Sequence, residues 1–217
     1  MFFLENIKYK NIIGIESLEI PASFVSCIIG ESGSGKTTLL KLLNHLISPD
    51  SGTVYYKGFD LEAVDPVEHR RKVVMLPQSP IIFPGNIKEN LLTGLRFCGK
   101  NLPNDNNLKE IMESVKLKKD LSADTVNLSG GEKQRLAVCR IMLMDPEVFI
   151  MDEPTSSLDD DTGDILMIMV TDFCRRYDKT LITVTHSRLL AEKYGDQVIT
   201  LSNGSLAGVQ KAVNNYG

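Results

Sequence analysis

Several features that place a chain in a special structural class are missing from these 217 residues. No uninterrupted apolar run approaches the roughly 18 residues that a membrane-spanning helix needs. The first residues lack the basic region and the cleavage pattern of a secretory signal peptide. Internal repeats and low-complexity segments are also absent, so neither a repeat protein nor a long flexible linker is expected.

Cysteine and excess charge are scarce as well. The 4 cysteines are far apart and form no C-x-x-C pair, which predicts reduced, buried thiols in a cytosolic protein. The net charge of -4 gives no reason to expect general affinity for nucleic acid. The length and the apolar fraction of 42% fit one domain, or one domain with an insertion.

What the sequence does contain is a glycine-rich stretch that fits the pattern G-x-x-x-x-G-K-[ST]. It consists of Gly30, Glu31, Ser32, Gly33, Ser34, Gly35, Lys36, Thr37 and Thr38. Its glycines allow backbone angles that are closed to residues with a Cβ, so several N–H groups can converge on one phosphate. Lys36 adds a positive charge for β- and γ-phosphates, and the Thr37 hydroxyl suits Mg²⁺, which prefers oxygen ligands.

The flanking residues are those that a phosphate-binding loop requires. Phe24 to Ile29 is a short apolar run that predicts a buried strand, and apolar residues recur at helical spacing from Leu39 to Ile47. The N-terminus of this helix would point at the loop and favour negative charge. The alternative, a glycine- and serine-rich turn with a nearby lysine, explains this context poorly.

Two polar residues follow other predicted core strands. Gln78 comes after Val73 to Leu76, and His186 comes directly after Thr180 to Thr185. The carboxyl ends of core strands are where α/β proteins bind ligands. We therefore expect Gln78 to reach a metal or an attacking water, and His186 to contact a γ-phosphate. The alternatives are an ordinary loop glutamine and a structural histidine.

Two adjacent carboxylates end the buried strand that is predicted to start at Glu147. Because neighbouring strand residues point to opposite faces, the pattern predicts that Asp152 and Glu153 have separate roles. We expect Asp152 to serve Mg²⁺, through water, and Glu153 to act as general base on the attacking water.

A second glycine-rich helix start lies at Leu128-Ser129-Gly130-Gly131-Glu132. Ser129 and Glu132 form a capping box, and the two glycines leave the helix N-terminus bare, so an anion can approach it closely. The alternative is an ordinary capped helix. Between about Asn86 and Asp124, core-strand patterns give way to helical ones, which predicts an inserted helical subdomain.

Tyr9 lies between two predicted strands, Phe2 to Ile7 and Ile12 to Ile20. An aromatic ring at this point could stack on a nucleotide base. A surface tyrosine at a strand end explains the residue equally well.

Together these residues resemble the ATP-binding subunit of an ABC transporter. The corresponding motifs are a Walker A loop at Gly30 to Thr38, a Q-loop at Gln78, a signature at Leu128 to Glu132, a Walker B strand ending at Asp152 and Glu153, a D-loop at Ser156 to Asp159, and a switch histidine at His186. The resemblance covers essentially the whole chain. The signature just before Walker B is the motif most specific to this family, because a Walker A loop alone indicates any P-loop NTPase.

The resemblance implies an α/β fold: a P-loop NTPase (RecA-like) core with a small N-terminal antiparallel β-sheet and an inserted α-helical subdomain. Residues 1–217 would form a single ABC ATPase domain. Within it, 1–84 and 145–217 would be the nucleotide-binding core, and 85–144 the helical subdomain with the signature. The implied cofactors are ATP and Mg²⁺, with Thr37, Gln78 and Asp152 at the metal.

In this family two subunits form an ATP-dependent head-to-tail dimer, either a homodimer or a pairing with a similar subunit. Each ATP lies between the Walker A loop of one copy and the signature of the other. This would place Ser129, Gly130, Gly131 and Glu132 on the ATP of the other copy. The family also has an aromatic base-stacker before Walker A, for which Tyr9 is the nearest candidate, although it lies slightly close to the loop.

The loop around Gln78, with its apolar stretch Ile81 to Phe83, and the helical subdomain would meet a separate transmembrane permease. The subunit is therefore expected to be cytoplasmic and peripheral on the inner face of the cell membrane. Gln78 to Phe83, followed by Asn86 to Leu91, is similar to export-type subunits. The short helical subdomain and the overall length resemble bacterial ATPases linked to metal or iron export.

Two other functions compete with a transporter ATPase. A soluble ABC-type ATPase in translation or DNA maintenance usually has two fused ATPase halves or a long coiled-coil insertion, and this sequence shows neither. A simple P-loop kinase needs an acceptor site for phosphate instead of a water-directed carboxylate such as Glu153. The sequence therefore favours an ATPase that powers transport.

Overall fold

Ten strands join into one continuous sheet in the computed structural model, which describes residues 1–211. The strands are β1 (Phe2–Tyr9), β2 (Ile13–Ile20), β3 (Val25–Ile29), β4 (Ser51–Tyr56), β5 (Phe59–Asp60), β6 (Val73–Leu76), β7 (Val148–Asp152), β8 (Thr180–Val184), β9 (Gln197–Ser202) and β10 (Ser205–Lys211). Their order across the sheet is β5-β4-β1-β2-β10-β9-β3-β8-β7-β6. The mixed α/β architecture predicted from the sequence is confirmed.

Along the chain, the seven α-helices of the described residues are interspersed with these strands. They are α1 (Lys36–Leu43), α2 (Pro66–Lys72), α3 (Ile87–Phe97), α4 (Asp105–Ser114), α5 (Gly130–Met144), α6 (Asp160–Arg176) and α7 (Arg188–Tyr194). Within residues 1–211, no helix has the length and apolar character that crossing a bilayer requires.

Strands β9, β3, β8, β7 and β6 run parallel to one another at the centre and one edge of the sheet. Every residue of β3, β7 and β8 is buried, as expected for parallel strands that are covered on both faces. Alternation along β7 sends Val148 and Ile150 into one core and Phe149 and Met151 into the other. The carboxyl ends of these strands therefore meet at a single edge, between two apolar layers.

The N-terminal antiparallel strands are part of this same sheet. Strands β1, β2, β4 and β5 pair antiparallel with their neighbours, and β2 joins the rest through a parallel contact of Gly14 with Ser205 in β10. Strand β1 continues through Tyr9, beyond the predicted end at Ile7. The turn into β2 is consequently shorter than the sequence pattern indicated.

Helix α1 ends at Leu43, before the end that the apolar spacing suggested. The backbone at His45 is left-handed, with φ of 54°. Leu46 is consequently 50% exposed and does not continue the buried face of the helix.

Along the chain, helices α3, α4 and α5 all follow β6 and precede β7. Their buried residues, such as Leu91, Leu108 and Leu136, belong to the same apolar cluster as Phe149 and Met151 of β7. The helical segment therefore extends one of the two cores that cover the sheet.

Candidate active site

The glycine-rich loop joins the end of β3 to the start of α1. Gly30, Gly33 and Gly35 have φ angles of 155°, 80° and 94°. A Cβ at Gly30 would lie 2.3 Å from the carbonyl oxygen of Leu201, and one at Gly35 would lie 2.9 Å from Ile13 Cδ1. Backbone angle and space together therefore favour glycine at both ends of the loop.

Helix α1 differs from the other six α-helices at its N-terminus. Each of those six begins after a side chain that accepts a hydrogen bond from its first turn: Asp65, Asn86, Asn104, Ser129, Asp159 or Ser187. The residue before α1 is Gly35, which has no side chain to offer. The first-turn N–H groups of α1 are therefore left for an external acceptor, and a phosphate suits them.

Lys36 is folded back into the loop that it follows. Its Nζ donates hydrogen bonds of 2.8 Å to the carbonyl oxygens of both Gly30 and Glu31, and the residue is only 6% exposed. These neutral acceptors hold the ammonium inside the curve of the loop. A phosphate there would form stronger, charge-assisted bonds with it.

The remaining loop residues divide into a rim and a buried position. Glu31 and Ser32 are exposed, and Thr38 is half-buried. Ser34 is 3% exposed, and its hydroxyl has no hydrogen-bond partner among the described residues. An unsatisfied buried hydroxyl costs about 1–3 kcal/mol, which a ligand or a water would recover.

Thr37 and Asp152 link the loop to the end of β7. The Thr37 hydroxyl donates a hydrogen bond of 2.8 Å to Asp152 Oδ2. Asp152 is 5% exposed, and this burial, assisted by the negative charge of Glu153, raises the pKa of the Asp152 carboxyl above its usual range. Two oxygen donors thus converge where a hard cation would relieve an unfavourable buried charge.

Glu153 lies just beyond β7 and has a left-handed backbone, with φ of 48°. Its Oε1 lies 2.6 Å from Nε2 of His186, and its Oε2 accepts a hydrogen bond of 2.7 Å from Nε2 of Gln78. The expectation that Asp152 and Glu153 point to opposite faces assumed a strand at both residues, and that premise is wrong because the strand ends at Asp152. Their contacts nevertheless differ, since Asp152 bonds to Thr37.

These elements surround a cavity of about 410 Å³, the phosphate cavity. It is lined by Ile12, Ser32, Gly33, Gly35, Lys36, Thr37, Thr38, Gln78, Glu153 and His186. The structure therefore brings together the loop, the predicted base and the two polar strand-end residues. A polyanion would meet the loop, and a water beside its far end would meet the carboxylate of Glu153.

The structure does not bring Tyr9 into the lining of the phosphate cavity. Tyr9 packs partly against the core of the N-terminal strands, and Nζ of Lys10 lies 5.1 Å from its ring centroid. Ile12, which is 41% exposed, lines the cavity instead. Nothing in the sequence singled out Ile12, because its position depends on how the turn after β1 packs on Gly35.

The second glycine-rich segment also lies outside the phosphate cavity. The Ser129 N–H donates to Glu132 Oε2 at 2.9 Å, and the Glu132 N–H donates to the Ser129 hydroxyl at 3.3 Å, so the predicted capping box is formed. Ser129 and Gly130 are exposed. A Cβ at Gly130 would have no atom within 4 Å, whereas one at Gly131 would lie 2.8 Å from Leu158 Cδ2.

A second, apolar groove of about 220 Å³ begins at Pro77, next to Gln78. This apolar groove is lined by Val74, Met75, Leu76, Pro77, Ile81, Phe83, Thr93, Gly94, Phe97, Arg140, Ile141 and Met144. Ile81 is 62% exposed and Phe97 is 72% exposed. The apolar stretch after Gln78 thus forms one wall of an open surface, with helices α3 and α5 completing it.

Comparison with known proteins matches residues 15–156 to the family described as ABC transporter. The ABC transporter I family member 17 of Arabidopsis thaliana is 33% identical, over 90% of this chain and 74% of that protein. The phosphate import ATP-binding protein PstB 3 of Natronomonas pharaonis is also 33% identical, over 91% of this chain and 75% of that protein. The lactococcin-A transport/processing ATP-binding protein LcnC of Lactococcus lactis is 36% identical. The match covers 82% of this chain and only 25% of that longer protein.

Solved structures with the same fold include the cassette MJ0796. Its dimeric form, described as a bacterial ABC transporter cassette, is 26% identical with a TM-score of 0.87, covering 98% of this chain and 99% of that one. A post-hydrolysis dimer of the same cassette, bound to ADP and Pi, has a TM-score of 0.84 over the same shares of both chains.

Proposed function

The chain belongs to the ABC transporter family as an ATP-binding cassette that hydrolyses ATP, and we propose that it powers a transporter through a separate transmembrane subunit. The observation that carries this proposal is the phosphate cavity, where the loop of Lys36 faces Glu153, Gln78 and His186. Residues 1–84 and 145–217 act as the nucleotide-binding core in this proposal, and 85–144 as the helical subdomain.

The triphosphate of ATP would lie on residues Gly30 to Thr38. Lys36 would exchange its two backbone carbonyls for β- and γ-phosphate oxygens, and the uncapped N-terminus of α1 would supply N–H donors. The residues fit Mg²⁺, since Thr37 and Asp152 present oxygen donors to one point and Gln78 lies on the same cavity. When bound, Mg²⁺ neutralises charge on the phosphate oxygens.

Hydrolysis requires a water in line with the γ-phosphorus and a group that accepts its proton. We assign that acceptor role to Glu153, whose carboxylate is oriented by His186 and Gln78. As the water oxygen bonds to phosphorus, the proton passes to Glu153 and the bond from phosphorus to ADP breaks. The exposed imidazole of His186 borders the same cavity and would contact the γ-phosphate.

A second subunit would complete each site in a head-to-tail dimer. Ser129, Gly130, Gly131 and Glu132 lie outside their own phosphate cavity, while the start of α5 is exposed and bare of bulky side chains. Placed against the cavity of another copy, or of a similar subunit, this helix N-terminus would face the γ-phosphate. The dimeric MJ0796 cassettes support the formation of a dimer.

The transmembrane subunit would dock on the apolar groove. Exposed apolar side chains beside Gln78 offer a contact surface that is directly linked to the catalytic carboxylate, because Gln78 bonds to Glu153. The chain would then be a cytoplasmic subunit, held peripherally on the inner face of the cell membrane.

The relatives are named for different cargoes. One of them is named for phosphate import and another for lactococcin transport and processing. The similarity to metal or iron exporters thus stays a prediction from the sequence. The three relatives described above are named as transport proteins, which does not favour a soluble ATPase of translation or DNA maintenance.

Co-purification tests the proposal. A tagged Glu153→Gln form in native membranes with ATP and Mg²⁺ should recover one polytopic membrane protein in about equal amount, because a lost base stalls the ATP-bound dimer. Recovery only from the soluble fraction, with ribosomal or DNA-associated proteins, would refute the transporter role.

A matched pair of surface variants locates the docking site. Ile81→Ser in the apolar groove should lower recovery of the membrane protein. Phe59→Ser changes a side chain that is 70% exposed at the far edge of the sheet. This control variant should recover the membrane protein as the unaltered chain does. Equal recovery with both variants would move the docking site away from the groove.

A further inference from the structure

The apolar groove contains one cationic side chain, that of Arg140 on α5. Its Nη2 donates a hydrogen bond of 2.7 Å to the carbonyl oxygen of Ile81. The guanidinium carbon lies 5.4 Å from the centroid of the Phe83 ring. Arg140 therefore ties α5 to the wall of the groove while presenting a cation among apolar side chains.

No carboxylate of the described residues pairs with Arg140. Its Nη1 is buried without a hydrogen-bond partner, and burial lowers the pKa of its guanidinium. Other arginines of the chain do have carboxylate partners: Arg188 meets Glu192 at 2.7 Å, and Arg175 meets Asp196 at 3.0 Å. The guanidinium of Arg140 thus holds its charge in an apolar setting with one backbone acceptor and one aromatic ring.

The groove is shaped so that an occupant can come close to this charge. A Cβ at Gly94 would lie 2.5 Å from Sδ of Met144 and 3.6 Å from Cγ of Arg140. The absence of a side chain at Gly94 lets α3 and α5 pack closely, and Arg140 lines the groove beside this junction. Exposed Ile81 and Phe97 flank the opening.

We propose that the segment of the transmembrane subunit that fills the apolar groove carries an aspartate or glutamate whose carboxylate pairs with Arg140. This inference rests on the proposed docking of that subunit. A neutral apolar occupant would remove water from the guanidinium and leave the charge unpaired, which is strongly unfavourable. A carboxylate would instead form a charge-assisted hydrogen bond with the guanidinium, whereas a cationic occupant would be repelled.

A pair of isosteric probes tests the charge preference directly. The chain has no tryptophan, so a Phe97→Trp form carries a single indole at the rim of the groove and reports occupancy by fluorescence. Octanoate and octanamide have the same length and differ in the charge of the head group. Octanoate should bind at least about tenfold more tightly, the usual range for a hydrogen bond to a charged group.

Variants of Arg140 in the same Phe97→Trp background provide the controls. Arg140→Gln should bring the two affinities to near equality, and Arg140→Lys should keep part of the preference for octanoate. Comparison of the two probes in the Phe97→Trp form that retains Arg140 tests the proposal even if an Arg140 variant does not fold. Equal affinities in that form, no response to either probe, or an unchanged preference in folded Arg140→Gln would overturn the proposal.

A concentration-dependent change of indole emission without probe would assign the groove to a second copy of the chain and would also overturn the proposal. None of these outcomes bears on ATP hydrolysis or on recovery of a membrane protein, so the proposed function is decided separately.

Discussion

Replacement of Glu153 by glutamine removes the charge of one carboxylate from an otherwise intact site. The Glu153 side chain is 16% exposed, and its two oxygens lie 2.6 Å from His186 Nε2 and 2.7 Å from Gln78 Nε2. An amide of the same shape retains one oxygen that can accept a hydrogen bond, so neighbouring side chains keep their places. The phosphate loop contributes no hydrogen bond to this carboxylate and should remain unchanged.

The two measurable consequences should differ sharply. A general base contributes about 10²- to 10⁴-fold to the rate, which corresponds to roughly 3–5 kcal/mol of the activation barrier. ATP affinity should be equal or higher, because a negative charge near the polyphosphate is lost. The pKa of Asp152 should also fall toward its ordinary value, since the charge of Glu153 helps to raise it. Asp152 then stays ionised for the cation.

Phosphate release at saturating ATP and equilibrium binding of ATP measure these two effects. Glu147→Gln is the matched control, since Glu147 precedes the same strand at its opposite end, where Oε2 accepts a hydrogen bond of 2.5 Å from Tyr56. That variant should hydrolyse ATP normally. Turnover of Glu153→Gln within about tenfold of the unaltered chain, with ATP bound normally, would refute Glu153 as general base.

Three further substitutions test other parts of the site. Lys36→Ala should abolish most ATP binding, as seen by calorimetry, because the phosphates lose their buried cation; unchanged affinity would reject the loop as the phosphate site. Ser129→Arg should leave ATP binding by the monomer intact but prevent ATP-driven dimers in sedimentation, and persistence of those dimers would contradict the shared site. Asp152→Asn should raise the melting temperature of the nucleotide-free chain at pH 7. Burial raises the pKa of Asp152 in the folded state, so its ionised form costs stability above that folded pKa, and the cost vanishes below the unfolded value near 3.8. The gain should therefore shrink as the pH is lowered, and a lower melting temperature for the variant at pH 7 would refute this electrostatic account.

The elements around the phosphate cavity could be predicted because their signals are local. A fully apolar run such as Val148 to Met151 specifies a buried parallel strand wherever it lies, and the loop pattern from Gly30 to Thr38 specifies its own backbone. Parallel strands that share a sheet bring their carboxyl ends to one edge. Gln78, Glu153 and His186 could thus be placed together without knowledge of any contact between them.

Predictions that depended on the backbone just beyond the end of a strand were less successful. The opposite-face rule does not apply at Glu153 because the chain leaves the strand at Asp152, and a left-handed φ for glutamate is stabilised by tertiary contacts that no local pattern encodes. Likewise, Ile12 lines the cavity because the turn after β1 rests on Gly35, where a Cβ would lie 3.2 Å from the Ile12 carbonyl oxygen. Tyr9 as a base-stacking residue stays a prediction.

Arg140 illustrates a different limit of local patterns. In the sequence it continues a helix whose neighbours, such as Cys139 and Ile141, are buried, and the helical spacing predicts only that the helix packs against a core. Its lack of a carboxylate partner among residues 1–211 emerges only when α3, α5 and the segment after Gln78 are assembled. A charge without a partner is a property of the whole surrounding volume, so three-dimensional packing is needed to detect it.

The signature segment shows why one chain contains only part of the proposed site. In its capping box, Ser129 and Glu132 hydrogen-bond to each other. Neither Ser129 nor Gly130 reaches the phosphate cavity of the same chain. If this helix N-terminus served structure alone, a Cβ at the exposed Gly130 would be accommodated without contact, since nothing lies within 4 Å of it. A requirement for glycine at 130 would therefore have to come from outside the chain. Gly130→Leu should consequently leave folding and monomeric ATP binding unchanged while impairing hydrolysis, which depends on the dimer in the proposed function. Normal hydrolysis by this variant would show that no second subunit closes on that surface.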